Sequence, residues 1–400
     1  MRQSQRIAGA AVALLVVIAG PNLWALNGAQ LTGFTAINES LGGTGVAAPQ
    51  DASTLLVNPA GLTELPQLLN LNILVAWPKS QMNSAFNPAA GTVTSNDDPV
   101  ILPGGAFTLP TPYLDEKLFV GIGILPVAGF SLDYPASRGP VAATANVFDT
   151  HTFFGLMKIV PAAAYKINDQ WSVGLSVHVN HARFATNSIT AVGTQTTGRN
   201  RMDASFGFGA EVGLLYKPSD FLSAGLSYTT EQWMQDFSRY KDVLLRGNNF
   251  PQQANAGLSI KPLDNLLVST DFRWIQWSGA NGAFGDSVAS GGLGWQDQYI
   301  GMLGLQYQLF DYITLRSGYN YGRSAIPAAS LFASQLASPI TEHHVGGGIG
   351  FKLGEKLAID FSYLRSLSNT VTDSNAAAAG GGSFTTQSVH QMNTQVGLSF

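Results

Sequence analysis

Six times between residues 116 and 357 the chain repeats one short pattern: an acid, one further residue, then an apolar residue that opens an alternating stretch. The six are Glu116-Lys117-Leu118, Asp169-Gln170-Trp171, Asp220-Phe221-Leu222, Asp264-Asn265-Leu266, Asp311-Tyr312-Ile313 and Glu355-Lys356-Leu357, spaced 53, 51, 44, 47 and 44 residues apart. Each acid sits in a short polar turn such as "KPSD" or "INDQ". After it the apolar residues fall at every second position, as in Val173, Leu175, Val177 and Val179 behind Trp171. Side chains alternate across a strand, so each pattern reads as a tight turn feeding a strand with one oily face. A strand also ends at each turn, for example "QYIGMLGLQYQL" before Asp311. One repeat is therefore a strand, a long loop, a returning strand and a tight turn.

Six turns join twelve strands. "LLNLNILVAW" (68–77) and the closing "HQMNTQVGLSF" (390–400) bring the expected number to fourteen. In the last strand Met392, Thr394, Val396, Leu398 and Phe400 share one face, and Gln391, Asn393, Gln395, Gly397 and Ser399 the other. An even strand number, short turns on one side and long polar loops on the other describe an outer-membrane barrel. The long loops are expected near 80–99, 131–150, 186–200, 233–250, 278–294, 323–340 and 366–388. A β-propeller also repeats at this period, but its blades need four short strands and a polar outer face. Here there are two long strands per repeat, with Leu, Val, Ile and Tyr along one whole face.

Composition agrees. Charged residues make up 12%, about half of what a soluble globular protein carries. Yet after Pro21 no run approaches the ~18 apolar residues of a membrane helix. A closed barrel is the other way to satisfy every backbone group in a bilayer. The N-terminus reads as a secretory signal peptide over 1–25, with Arg2 and Arg6 ahead of the apolar run Ile7 to Gly20 and Leu23-Trp24-Ala25 at the cut. Its loss leaves 19 Lys+Arg against 25 Asp+Glu, a charge of −6 with no basic patch for nucleic acid. Cysteine is absent, so stability rests on strand pairing and packing.

Residues 26–66 do not alternate. The segment carries Phe34, Ile37, Leu41, Leu55, Leu56 and Val57, which favour burial over a free linker. It is expected to plug the lumen of a barrel formed by 67–400, and a plugged lumen is no open pore.

Here the sequence resembles the FadL family of outer-membrane transporters of long-chain fatty acids and other hydrophobic compounds. The resemblance rests on Gly33-Phe34, Leu41-Gly42-Gly43, Asp51-Ala52-Ser53 and Asn58-Pro59-Ala60-Gly61-Leu62. It continues through "QWSVGLSVHVNHARF" (170–184), "FGFGAEVGLLYKPSD" (206–220), "FRWIQWSG" (272–279), "DYITLRSGYNYGRSAIP" (311–327) and Phe400. It implies an all-β fold: a 14-stranded antiparallel transmembrane β-barrel with an N-terminal hatch, in the outer membrane of a Gram-negative bacterium. It also implies a lateral opening at a kinked third strand and a C-terminal Phe400 read by the barrel assembly machinery. The implied activity is passive uptake of hydrophobic small molecules by a monomer among outer-membrane lipid and lipopolysaccharide, with no cofactor. Phe34, Asn58, Pro59 and Ala60 are then the hatch residues, with the Asn-Pro-Ala turn expected near the third-strand kink.

The third strand, "LFVGIGILPVAGF" (118–130), supports the opening independently. Pro126 has no N–H to give to a ladder, so Leu125, Pro126, Gly129 and Phe130 are the candidate rim. Family fatty-acid carriers hold a carboxylate with two basic side chains. Counting along the matched stretches, those positions fall near Ser188 and Gly291, neither basic, with Arg183 the nearest replacement although its register points outward. The cargo is therefore expected not to be restricted to fatty acids, with long-chain fatty acids and neutral hydrocarbons, aromatic or alkyl, both left open. Other signals carry less. His178 and His181 face opposite sides of a strand, as do His343 and His344, so no shared metal is expected. Gly207, Gly209 and Gly213 lack dinucleotide-loop spacing and suit a lumen face. There is no Gly-x-Ser-x-Gly elbow. A barrel enzyme (lipase or protease) and a general porin are the rival readings.

Overall fold

The computed structural model describes residues 27–400 except 84–90, 97, 135–149, 188–199, 245–246, 332, 335–337 and 375–381. The signal peptide and Ser188 thus lie outside the described residues. Fourteen antiparallel strands form one closed ring: β1 (Leu68–Asn83), β2 (Val100–Pro110), β3 (Leu118–Tyr134), β4 (Thr150–Lys166), β5 (Trp171–Thr186), β6 (Asp203–Tyr216), β7 (Leu222–Thr229), β8 (Gln253–Leu263), β9 (Leu266–Ile275), β10 (Gln298–Phe310), β11 (Ile313–Gly322), β12 (His343–Leu353), β13 (Leu357–Ser366) and β14 (Phe384–Ser399). Three short strands, Val93–Thr94, Trp233–Met234 and Asn369–Thr372, extend the sheet beyond the wall at its loop end.

Closure is made by β1 and β14, which pair from Leu68↔Ser399 to Asn83↔Phe384. Neither keeps a free edge, the hazard of any open sheet. The alternation expected at the C-terminus holds: Gln391, Asn393 and Gln395 are buried inward, while Met392 is half exposed on the outside. Leu71, Ile73, Ile122, Ile124, Val177 and Phe272 are likewise exposed, as an apolar lipid-facing band requires. The six acids mark the short turns, and the long loops lie at the other end. No helix is long and apolar enough to cross a membrane among the described residues.

Residues 27–66 lie inside the ring and are almost wholly buried. They form two short helices, α1 (Ala36–Ser40) and α2 (Thr54–Val57), and a 3₁₀ turn over Pro59–Glu64. Thr35 caps α1 by accepting from the Asn38 N–H at 3.2 Å. Inward glycines make room for this segment. A Cβ on Gly318 of β11 would stand 2.1 Å from the Gly42 nitrogen, and one on Gly225 of β7 would stand 2.2 Å from the Val46 oxygen. On β3, Gly121 and Gly123 meet Leu55 in the same way. The glycines suspected of facing the lumen do so: Gly213 abuts Asn58 and Gly209 abuts Gln232.

Candidate functional site

Asn58 is fully buried and ties the inner segment together. Its side-chain nitrogen donates to the Val46 carbonyl (2.7 Å) and the Leu214 carbonyl (3.0 Å), and its Oδ1 accepts from the Ala60 N–H (3.2 Å). Leu214 belongs to β6, and Pro59 and Ala60 press on Gly174 of β5. The Asn-Pro-Ala turn therefore docks on β5–β7, and the expectation that it lies by the third-strand kink is corrected. A second tie is Asp271 of β9, whose carboxylate accepts from Gly45 N (2.7 Å) and Val46 N (2.9 Å). Phe34 is buried in the same interior cluster as Leu31, Leu55 and Leu74.

The kink itself is met by a different piece of chain. The ladder between β2 and β3 runs from Pro110↔Phe119 to Gly105↔Ile124 and stops, although both strands continue. On its other side β3 stays paired with β4, with a bulge between Pro126 and Ala128. The bulge shifts the side-chain register by one, as such insertions do: Gly123 and Leu125 face inward before it, Ala128, Leu132 and Tyr134 after it. From within, Leu31 N donates to the Val127 carbonyl (2.9 Å), Gly129 N donates to the Ala29 carbonyl (3.1 Å), and Gln30 sits opposite Ala128. Ala29–Leu31 thus act as a short strand laid over the kink.

Beside this break lies a narrow apolar cleft of about 30 Å3, lined by Leu31, Ala76, Leu102, Phe130, Phe154 and Val389 among others. An aromatic run leads from it into the loop end: Phe130 stacks on Phe154 (5.5 Å between centroids), Phe154 on Phe250 (5.9 Å), and Phe250 meets Trp277 (5.6 Å) and Phe284 (5.3 Å) edge-on. Trp295 closes the run, 4.9 Å from both Trp277 and Phe284. Buried loop aromatics such as Phe250, Phe284 and Trp295 were not singled out from sequence; their signal is aromatic residues in loops that otherwise read as polar. The Trp residues accordingly divide, with Trp171 and Trp233 on the outer face and Trp277 and Trp295 inside. A larger cleft, about 270 Å3, opens at the turn end and is polar, lined by Glu64, Lys217, Asp220, Lys261 and Asp264.

The lumen wall beneath the aromatic run carries charges the sequence reading passed over. Lys158 Nζ is 3.2 Å from His178 Nδ1, and His178 Nε2 is 3.6 Å from Glu211 Oε2. Arg273 lies within electrostatic reach of Asp271 and Glu211, and Arg316 pairs with Asp360 at 2.7 Å. Each of these three cations thus has carboxylate company. His178 is buried while His181 packs at a tilt against Phe206 on the outer side, and no metal-binding group of His, Cys, Asp and Glu occurs among the described residues. Of the three positions considered for a carboxylate clamp, Arg183 stands exposed on the outer face of β5. Gly291 is exposed in the loop after β9 with φ 88°, and Ser188 is outside the described residues. Neither described position reaches into the lumen.

A ring of fourteen strands, an inner segment tied to its wall and an aromatic cluster beside a break in that wall define an outer-membrane barrel with a filled interior. The family model described as outer membrane protein transport protein (OMPP1/FadL/TodX) matches residues 24–400, and the chain belongs to that family. It is a family of transport proteins of the Gram-negative outer membrane, not of enzymes. Among solved structures the chain is similar to the toluene transporter TodX of P. putida (17% identity, 92% of this chain and 99% of that one, TM-score 0.73). It is also similar to the toluene transporter TbuX of Ralstonia pickettii (18%, 92% and 99%, 0.70) and to a FadL homologue of Pseudomonas aeruginosa (14%, 95% and 99%, 0.67). No curated protein matches the chain.

Proposed function

We propose that this barrel is a passive channel for neutral hydrophobic molecules, which leave the lumen sideways through the wall between β2 and β3. The observation that carries the reading is the ladder that stops at Gly105↔Ile124 beside an apolar cleft. Oily solutes cross a polar lipopolysaccharide layer poorly. The aromatic run gives them a dry path from the loop end to Phe130, and Leu125, Pro126, Gly129 and Phe130 form the rim they cross. Ala29–Leu31 are the gate, because their backbone covers the kink, while Asn58, Pro59 and Ala60 anchor the rest of the hatch.

One observation favours a neutral cargo. The buried cations already sit beside carboxylates, so a carboxylate ligand would add an uncompensated negative charge in a dry site, costing several kcal/mol.

The chain has no cysteine, which makes the gate testable. Gln30 and Ala128 face each other as a pair without mutual hydrogen bonds, the closer of the two antiparallel spacings. Cysteines at both positions should form a disulfide that abolishes naphthalene uptake into cells and releases it again on reduction. Undiminished uptake by the oxidised form removes the gate from this account.

A further inference from the structure

On the outer wall three basic side chains meet across the seam that closes the barrel. Arg365 of β13 pairs directly with His390 of β14, and His390 pairs directly with Trp77 of β1. Lys79 lies two residues beyond Trp77 on the same face. All three share the outward register of exposed neighbours: Ile73 on β1, Met392 on β14, and Phe361 with Tyr363 on β13. With strands ~4.8 Å apart and ~3.4 Å per residue, the Arg365 and Lys79 backbones stand about 12 Å apart with His390 between them. Their long side chains shorten that span.

The height of the group in the membrane follows from the same register. On β1 the outward residues run Leu69, Leu71, Ile73, Val75 and Trp77, then Lys79, Gln81 and Asn83. On β13 they run Leu357, Ile359, Phe361 and Tyr363, then Arg365. The basic group therefore begins where the apolar band ends, at the loop side, one step past an aromatic girdle. Tyr363 places its hydroxyl 2.5 Å from His390 Nδ1, adding a polar edge. No acid occupies the outward positions of these three strands at this level.

We propose that this seam is a binding site for the phosphorylated head of an outer-leaflet glycolipid, the lipid A part of lipopolysaccharide. A fork of guanidinium donors and an ammonium suit phosphate oxygens through charge-assisted bonds. Trp77 and Tyr363 suit the boundary where sugar gives way to acyl chain. Cations that only snorkel to the interface need no clustering and are indifferent to what carries the phosphate. Arg183 provides the contrast: on β5 it pairs with Gly155 and Ala204, without a second Lys or Arg beside it. Occupancy would brace the β1–β14 closure, next to β2 and the break in the wall.

The test uses the full-length protein in detergent, with binding followed by native mass spectrometry and thermal melting. Diphosphoryl lipid A, its dephosphorylated form, phosphatidylglycerol and inorganic phosphate are the probes. Diphosphoryl lipid A should bind and raise Tm, and the double variant Lys79→Gln/Arg365→Gln should bind it about tenfold or more weakly. Lys79→Arg/Arg365→Lys should retain binding, Arg183→Gln should match the parent protein, and a heat-modifiable band on gels should show each variant folded. Equal binding of the dephosphorylated lipid, or undiminished binding by the double glutamine variant, overturns the proposal. A response to phosphatidylglycerol or phosphate as large as that to lipid A overturns it too.

Discussion

Replacing Asn58 with alanine tests whether one side chain fastens the hatch to the wall. The side chain is fully buried and makes three hydrogen bonds, to Val46 O, Leu214 O and Ala60 N. The Leu214 carbonyl lies in a paired strand and keeps part of its satisfaction, so the loss falls on Val46 O and Ala60 N. A buried group left unpaired costs about 1–3 kcal/mol, and two of them, partly rehydrated, weaken docking by about 2–4 kcal/mol. At 1.4 kcal/mol per factor of ten, that raises the undocked population roughly 30- to 800-fold. The assay is amide hydrogen exchange by mass spectrometry on detergent-purified protein, with the wall strands as internal control. Exchange over 40–66 should accelerate by that factor while β9–β14 stay protected, because their ladders do not involve Asn58. Asn58→Asp should be no milder, since it turns a donor facing two carbonyls into an acceptor. Gly213→Ala attacks the same contact from the wall, its Cβ falling 2.0 Å from Asn58 Oδ1. Exchange within about threefold of the parent in all three would sink the latch.

Other outcomes follow from the same geometry. Gly318→Val on β11 places a side chain against the Gly42 backbone and should loosen the hatch from the opposite wall, read as higher ion conductance in planar bilayers. Gly129→Val brings its Cβ to 3.0 Å from the Phe154 carbonyl at the rim and should slow hydrocarbon uptake with barrel assembly intact; parental uptake would count against the lateral path. Phe250→Ala interrupts the aromatic run and should weaken naphthalene binding by about tenfold, whereas oleate should bind the parent poorly; tight oleate binding would reverse the neutral-cargo reading. Burial pushes the Glu39 carboxyl in α1 up to about 8. A folded value above the unfolded 4.5 means that stability is full below pH 4.5 and falls through pH 4.5–8, by order 4–5 kcal/mol at most. Melting of the hatch should follow that slope, and Glu39→Gln should flatten it.

The wall was legible because its information is local. A period of two fixes which face of each strand is apolar, the acidic turns fix where strands end, and the even number fixes closure. Pro126 announced a break for an equally local reason. The hatch was legible only as a segment that needs burial, and the sequence could not say which of fourteen strands would receive Asn58. That choice depends on where several inward glycines coincide, Gly174, Gly213 and Gly225 on three successive strands, and each alone reads as an ordinary strand glycine. The pairing of Gln30 with Ala128 spans 98 positions, and nothing in either stretch alternates toward the other.

That last contact also supports placing the proposed gate at the start of the inner segment. Residues 36–64 are tied to the wall by Asn58, Asp271 and Gln395, the last accepting from Ala36 N at 3.1 Å. The stretch before them is held over the kink by two backbone bonds, and it keeps buried polar atoms without protein partners in Asn27, Gln30 and Thr32. Each such atom costs about 1–3 kcal/mol while it stays dry, which offsets part of what lifting this strand would lose in its two bonds and in the burial of Ala29 and Leu31. A channel for oily molecules needs one cheap motion beside its exit and a rigid wall elsewhere. In the proposed gate that motion belongs to the few residues that cover the break.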